Sequence, residues 1–579
     1  MRGSVLKGTS AVVLALLIAY AIPGALEAAS DEIDQKVTDH PYTRLDGGSD
    51  DVLAFCSDDT SSDDTTTADD KGGNRQQNEP TIAVNPSHPT VLAAGANDYC
   101  TFGTTGDAWA GFYWTDDGGA SWRNSLLPGY PGDTSPAGRA SPLNKGGFGA
   151  AGDPVMAWDT GNYLFYGGIA FDRGIPAGAS FVTRSNFGGV WVATYRWNAA
   201  TSEMEYLRTV LVASNTPGNG LFQDKTAIQT DQWALSPHKD NVYFTWSRFQ
   251  GFGNNAIYVS RSTDHGATFS KPIKISDGIH GNQTTDIAVA PNGDVYVTWR
   301  QFNDPSPQDT AIVFSKSTDG GLTWSKPRII TEIDPFDSRE FSGSNARDCG
   351  DGPFACPTGF VFHRQSSQPS IAANAAGVYV VYNEEQPSGQ SKVMFTRSID
   401  GGATWSTPIA IDPATTVGHE WWPDIAATDI LVGVAYYTSR DDTGYAASRP
   451  PCNSTVGTST CSGSSGVNVY YAQSTDNGAN WDAPIKISDQ AHNPNYEMFG
   501  NRDVPFHGDY IYISMTGTSI YVAWTDNRDV VTGTDPRYSP PDGTDGFDVL
   551  QCRVPATSPD NCPNKGGLNQ NIYATKVTP

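Results

Sequence analysis

One short pattern, repeated along the chain, constrains the fold more than any other feature. Ser262-Thr263-Asp264-His265-Gly266-Ala267-Thr268-Phe269 recurs as Ser317-Thr318-Asp319-Gly320-Gly321-Leu322-Thr323-Trp324, and again at 398–405 and 474–481. A slightly shifted copy stands at 115–122, and 185–191 reads as a worn one. The chemistry of this Ser-x-Asp-x-Gly-x-x-Trp unit is that of a hairpin. The Asp carboxylate can accept backbone N–H groups across the turn. The Gly permits a positive φ, and the aromatic residue can pack down as an anchor. A repeating unit must be read before anything else, because one unit cannot bury both of its faces alone.

Each hairpin follows three short β-type runs. The first is apolar, as at 81–84, 155–158, 226–230, 287–290, 370–373, 425–427 and 510–514. The second is strongly β-branched and aromatic, and Val295-Tyr296-Val297-Thr298-Trp299 shows the alternation expected of a strand. The third leads into the hairpin and a fourth. The predicted fold is therefore all-β: a β-propeller of four-stranded blades, about seven of them, with six the alternative count. A solenoid of stacked hairpins fits less well, because the loops between units vary too much in length.

The chain divides into residues 1–29, 30–76 and 77–579. The first has the layout of an export signal: Arg2 and Lys7, an apolar run over 11–22, then Pro23, Gly24 and small residues. The run is short for a membrane span, which needs about 20 apolar residues, so no membrane span is expected in the mature chain. Residues 30–76 are predicted to be an acidic, largely disordered lead-in, since 58–70 is Asp, Ser and Thr with hardly an apolar residue. Eight cysteines all lie beyond the signal, an even number that suits disulfides in an exported protein. Cys349 with Cys356, Cys452 with Cys461 and Cys552 with Cys562 are close pairs, which leaves Cys56 for Cys100. No CxxC pair supports zinc. The net charge of −26 argues against nucleic acid and anionic membranes as partners. The oxygen-rich loops leave room for a structural Ca²⁺, but no particular site follows.

The repeated hairpin resembles the Asp box, or BNR repeat, of sialidases and their relatives. The resemblance runs from about 77 to 577 and is closest to exported bacterial sialidase-like propellers. Glu79-Pro80-Thr81-Ile82-Ala83-Val84-Asn85-Pro86, Gly152-Asp153-Pro154-Val155, Asp224-Lys225 and Gly508-Asp509-Tyr510 carry it, as does Trp524-Thr525-Asp526-Asn527-Arg528. It implies a site on the face opposite the hairpins. There, directly after the second strands, come Arg248, Arg300, Glu384-Glu385, Arg440-Asp441-Asp442 and Asp526-Asn527-Arg528-Asp529, at equivalent positions of successive blades. Acidic residues also precede several first strands: Glu79, Asp153, Asp224, Asp286, Asp424 and Asp509, at an offset that varies from blade to blade.

Sialidases hold the substrate carboxylate with three arginines and use an Asp acid with a Tyr assisted by a Glu. By that resemblance Arg248, Arg300, Arg440 and Arg528 would bind substrate. Glu384 or Glu385 would be the assisting Glu, and Asp441 or Asp526 the acid. Tyr437, Tyr445 and Tyr510 remain open as the tyrosine. Trp421 and Trp422, within 417–424, would stack on sugar rings from a mouth loop; the other reading is packing between blades. His419 and His492 read as surface or packing residues. The sequence departs from the family where an Arg-Ile-Pro is expected: it has Glu79-Pro80-Thr81-Ile82, and the nearest echo, Arg173-Gly174-Ile175-Pro176, comes a blade late. The implied function is a secreted sialidase-like glycoside hydrolase acting on a terminal sugar of an extracellular glycan or glycoprotein. A non-catalytic propeller that binds glycan or protein is the alternative, and a polysaccharide lyase or endo-acting glycosidase a third.

Overall fold

The computed structural model describes residues 33–38, 41–57, 76–101, 107–172, 187–215, 221–250, 255–278, 280–302, 310–336, 363, 365–413, 416–447, 450–452, 461, 464–494, 506–530 and 570–579. Among these are seven antiparallel four-stranded sheets, which are the seven blades of a propeller. The innermost strands are Gln77–Asn85, Ala150–Trp158, Leu221–Thr230, Asn282–Val289, Ser370–Ala373, Glu420–Ala427 and Tyr512–Thr516. Each packs against the next, and the last against the first, so the ring is closed. Alternation of β-branched and aromatic residues makes the second strands. In Val295–Gln301, Val295, Val297 and Trp299 face one blade interface, while Tyr296 packs with Phe314, Ile371 and Tyr382 in the next. Apolar residues thus fill both faces of a blade, and the cores lie between blades.

The hairpins form as the sequence predicts in five blades. In blade four the Ser317 hydroxyl donates to Asp319 (2.8 Å), and Asp319 accepts the Thr323 amide (2.9 Å) and hydroxyl (2.5 Å). The Ser262/Asp264, Ser398/Asp400 and Ser474/Asp476 turns repeat these bonds. Thr115 and Asp117 do the same in blade one. Trp122, Trp324, Trp405 and Trp481 pack onto the interblade cores. The copy read at 185–191 is a correction. Trp191 lies inside the third strand of blade two, Phe187–Asn198, and is buried with its indole N–H on the Ile169 carbonyl at 2.8 Å. That blade turns into its fourth strand, Glu203–Ser214, only after Asn198.

The last blade is completed from the far end of the chain. Its outer strand is Gln35–Lys36, paired with Asn571–Val577 through Gln35↔Ala574 and Lys36↔Tyr573. The lead-in is therefore ordered in part. Tyr42 then bridges to Asn124 on the outer strand of blade one. A short helix, Asp51–Cys56, is capped by Asp50 and tied to blade one by the Cys56–Cys100 disulfide. Cys452–Cys461 is also formed. Cys349, Cys356, Cys552, Cys562, Arg173 to Pro176 and residues 1–29 lie outside the described residues. No helix among the described residues is long and apolar enough to cross a membrane.

Candidate functional site

The acidic residues that precede the first strands converge on the propeller axis, and a repeated irregularity puts them there. Five inner strands carry a register shift against their second strand at one end: between Asn78 and Thr81, Gly152 and Val155, Asp224 and Thr226, Gln283 and Thr285, and Trp421 and Asp424. Within each shift one non-glycine residue has a positive φ: Glu79 (55°), Asp153 (51°), Lys225 (48°), Thr284 (60°) and Trp422 (46°). Such bulges bend a strand and re-aim its side chains, and this backbone costs about 1–3 kcal/mol per residue. The variable offset of the acids along the sequence is the mark of these bulges.

Lys225 is the one basic residue in the seven inner strands. Its ammonium bonds Asp509 of blade seven and lies 4.0 Å from Glu79 and 3.9 Å from Asp153. Burial alone would lower its pKa, but the charges of Asp153, Asp509, Glu79 and Asp224 raise it well above the ordinary lysine value. Asn97 ties the neighbouring blades together: its amide donates to Glu79 (2.7 Å), and its carbonyl accepts the Asp153 amide (3.0 Å). Gln283 donates to Asp224 (3.1 Å), whose pKa is raised to about 6 by burial and by the Asp153 charge. Tyr510 stands beside them, 5.7 Å from the lysine, with its hydroxyl buried and without a hydrogen-bond partner among the described residues.

A second group on the axis joins blades four, five and six. The Ser370 hydroxyl lies 2.9 Å from Asp286 and 2.5 Å from Asp424. Tyr512 of blade seven is their electrostatic neighbour.

The residues expected at the second-strand ends do stand at equivalent positions, but they do not gather at one point. Arg248 donates to Gln223 (3.2 Å) and covers the Tyr258 ring. Arg300 is buried, donates to the Ser367 carbonyl (3.1 Å) and covers Phe302. Arg440 pairs with Asp412 at 2.9 Å. Arg528 binds Asp34 (2.7 Å), Asp489 (2.5 Å) and Asp526 (2.8 Å). Asp441 accepts from Asn468 and Tyr470. Asp526 is fully buried, and the nearby His492 and Arg528 hold its carboxyl well below the usual range against the burial that would raise it. Glu384 is pushed up to about 7, chiefly by burial, and Glu385 is buried.

Trp421 and Trp422 need correcting. They are not on a mouth loop but on the inner strand of blade six, and both are fully buried. Trp421 stacks on Tyr437, 5.7 Å between centroids, and packs at a tilt against His363, at 4.9 Å. Trp422 and Tyr437 pack on His507. No face of either indole is open to a sugar, because the core between blades six and seven takes both. His419 and His492 are buried too, and His492 lies 3.5 Å from Asp526.

Lys225, Asn97, Ser370 and Tyr512 were not among the residues expected at a site. The acid before each first strand was the available signal, and an Asp-Lys pair at 224 and 225 marks the blade that differs. No group of three or more His, Cys, Asp or Glu among the described residues is arranged to hold a metal ion.

Residues 242–419 match the family described as BNR repeat-like domain. Compared with curated proteins, the sequence has no match. Among solved structures, similarity is found to a Hadza microbial sialidase, at 14% identity and TM-score 0.37 over 64% of this chain and 65% of that one. The Trypanosoma rangeli sialidase in complex with the inhibitor DANA has 11% identity and TM-score 0.36, over 63% of this chain and 53% of that one. The GH93 alpha-L-arabinofuranosidase of Fusarium graminearum with arabinobiose has 12% identity and TM-score 0.34, over 62% and 88%. The chain thus spans less than two thirds of the two sialidases. The described residues form a seven-bladed β-propeller, and its residues 242–419 match the BNR repeat-like domain.

Proposed function

We propose that the protein processes extracellular glycans in the manner of a glycoside hydrolase, taking an uncharged or amine-bearing sugar at the axial mouth. One observation carries this reading: the single basic residue of the inner strands, Lys225, is already held by Asp509 beside Glu79 and Asp153. Among the described residues a sugar carboxylate entering there would meet an excess of negative charge, whereas sugar hydroxyls or an ammonium would meet acceptors. The four candidate arginines, engaged in separate blades, offer no common fork for a carboxylate. Asp224, protonated up to about pH 6, suits a general acid. Tyr510, with its unpartnered hydroxyl, is the tyrosine best placed to meet a ligand. The leader at 1–29 and the Cys56–Cys100 and Cys452–Cys461 disulfides support an extracytoplasmic location.

The test is a panel of fluorogenic glycosides, neutral, amine-bearing and sialic, with wild type and Asp224→Asn. Turnover of a neutral or amine-bearing glycoside, falling about 10²-fold or more in the variant, is the expected result. Turnover of the sialoside alone, lost in Arg440→Ala, would overturn the reading in favour of a sialidase. A second reading, a non-catalytic binding propeller, draws on the engagement of every arginine named at the mouth. It takes over if no glycoside is cleaved and a glycan array is bound.

A further inference from the structure

Asp286, Ser370 and Asp424 are joined by a hydrogen-bond count that does not balance with two ionised carboxylates. Ser370 has one hydroxyl proton and lies within bonding distance of both, 2.9 Å from Asp286 Oδ2 and 2.5 Å from Asp424 Oδ1. One proton cannot serve two acceptors. The remaining bonds say which acid is different. Asp286 is fully served as an anion: it accepts the Ile287 amide at one oxygen and the Ile371 amide at the other, both at 2.8 Å. Asp424 accepts the Ile513 amide at Oδ2, at 2.8 Å, and the neighbouring Ile425 amide also favours its charged form. Its Oδ1 meets Ser370 over the shorter of the two contacts, and the Ile425 amide points to the Ser370 oxygen at 3.4 Å.

We infer that Asp424 is a neutral carboxylic acid in the folded protein at mildly acidic pH, donating its proton to Ser370, which donates its own to the Asp286 carboxylate. The relay fastens blade four to five and five to six, and the Ile513 amide extends it to blade seven. The groups facing it are Asp286 from blade four, Ser370 from blade five and the Tyr512 phenol from blade seven, and no cation is among them. Burial raises the Asp424 carboxyl, with the Asp286 charge adding to it, to about 7. Above that pH the relay would hold two anions on one hydroxyl. A raised carboxyl pKa means the folded protein binds the proton more tightly than the unfolded chain. The stabilisation is complete below the unfolded carboxyl value and is lost as the pH rises through about 7. None of this depends on the functional reading.

The two acids should therefore answer differently to the same substitution. Asp424→Asn keeps the pattern, with its amide nitrogen donating to Ser370 and its oxygen accepting from Ile513. Asp286→Asn cannot, because an amide N–H₂ must then face a backbone N–H. Infrared difference spectra on the full mature chain should show a protonated carboxyl band at pH 6 that is missing in Asp424→Asn. The melting temperature of Asp424→Asn relative to wild type should rise between pH 5 and 8, while Asp286→Asn melts lower than wild type throughout. An unchanged carboxyl band in Asp424→Asn, or Asp286→Asn tolerated with Asp424→Asn destabilised at every pH, would overturn the assignment.

Discussion

The Lys225 ammonium of blade three bonds the Asp509 carboxylate of blade seven, so two blades that are not neighbours in the ring are joined directly across its axis. Asp509 is almost completely buried, and Glu79 and Asp153 lie close by. Lys225→Met would remove the ammonium that these acids share. Breaking a buried pair from one side costs about 3–5 kcal/mol. The acids can escape part of that cost by taking up protons, so the loss in denaturant midpoint should be larger at pH 8 than at pH 5.

His507 is buried against His492, Tyr437 and Trp422, with ring centroids 4.8, 5.0 and 6.3 Å away. Burial first, and then the charges that His492 and His363 would carry, hold its pKa well below the ordinary value. The unfolded chain thus binds a proton near pH 6.5 that the folded one refuses. Stability from this residue is present above that pH and is lost as the pH falls below it. Wild type should lose up to about 2 kcal/mol by pH 5 through this group, and His507→Phe should show a shallower acid loss in thermal melts.

Where local chemistry decides structure, the sequence was enough. The Ser-x-Asp hairpins and the alternating second strands follow from spacing and residue type, and the Cys56–Cys100 pair from elimination. Three features did not. Gln35–Lys36 is too short to show any periodicity, and its partner Ala574 lies at the other end of the chain. Trp421 and Trp422 are adjacent, which in a regular strand would send them to opposite faces. The bulge at Trp422 breaks that alternation, and both enter one core. The arginines at the second-strand ends are alike in sequence position, but their partners, Asp412 for Arg440 and Asp34 for Arg528, come from loops whose approach no repeat encodes.

The hairpin carboxylates should set part of the acid sensitivity. Slight burial would raise Asp319, but the bonds from Thr323 and Ser317 outweigh it and hold the carboxyl at about 2. A lowered carboxyl pKa stabilises above the unfolded value near 4 and is lost as the pH falls towards 2. Asp319 is partly exposed, so solvent screening discounts the effect. Asp319→Ala should cost about 1 kcal/mol at pH 7. The difference from wild type should shrink below about pH 4 and vanish only as the pH falls through about 2, as read from urea unfolding across that range.

The segment that closes the ring depends on a bond far from the strand it supplies. Asp34 is held by Arg528 and the Asp489 amide, Val37 donates to Ile572 (2.8 Å), and Thr43 donates to Asn124 (2.9 Å) on blade one. The segment therefore spans the seam between the last blade and the first, and Cys56–Cys100 anchors its far end across 44 residues. Chain entropy for a loop of that size gives about 4 kcal/mol of stabilisation. A Cys56→Ser, Cys100→Ser double variant should lose up to that amount in global unfolding. Before it unfolds, hydrogen exchange should quicken at the Val37 and Thr43 amides and leave those within blades three to five unchanged. Equal quickening in all blades would mean that the disulfide acts on the whole ring rather than on its seam.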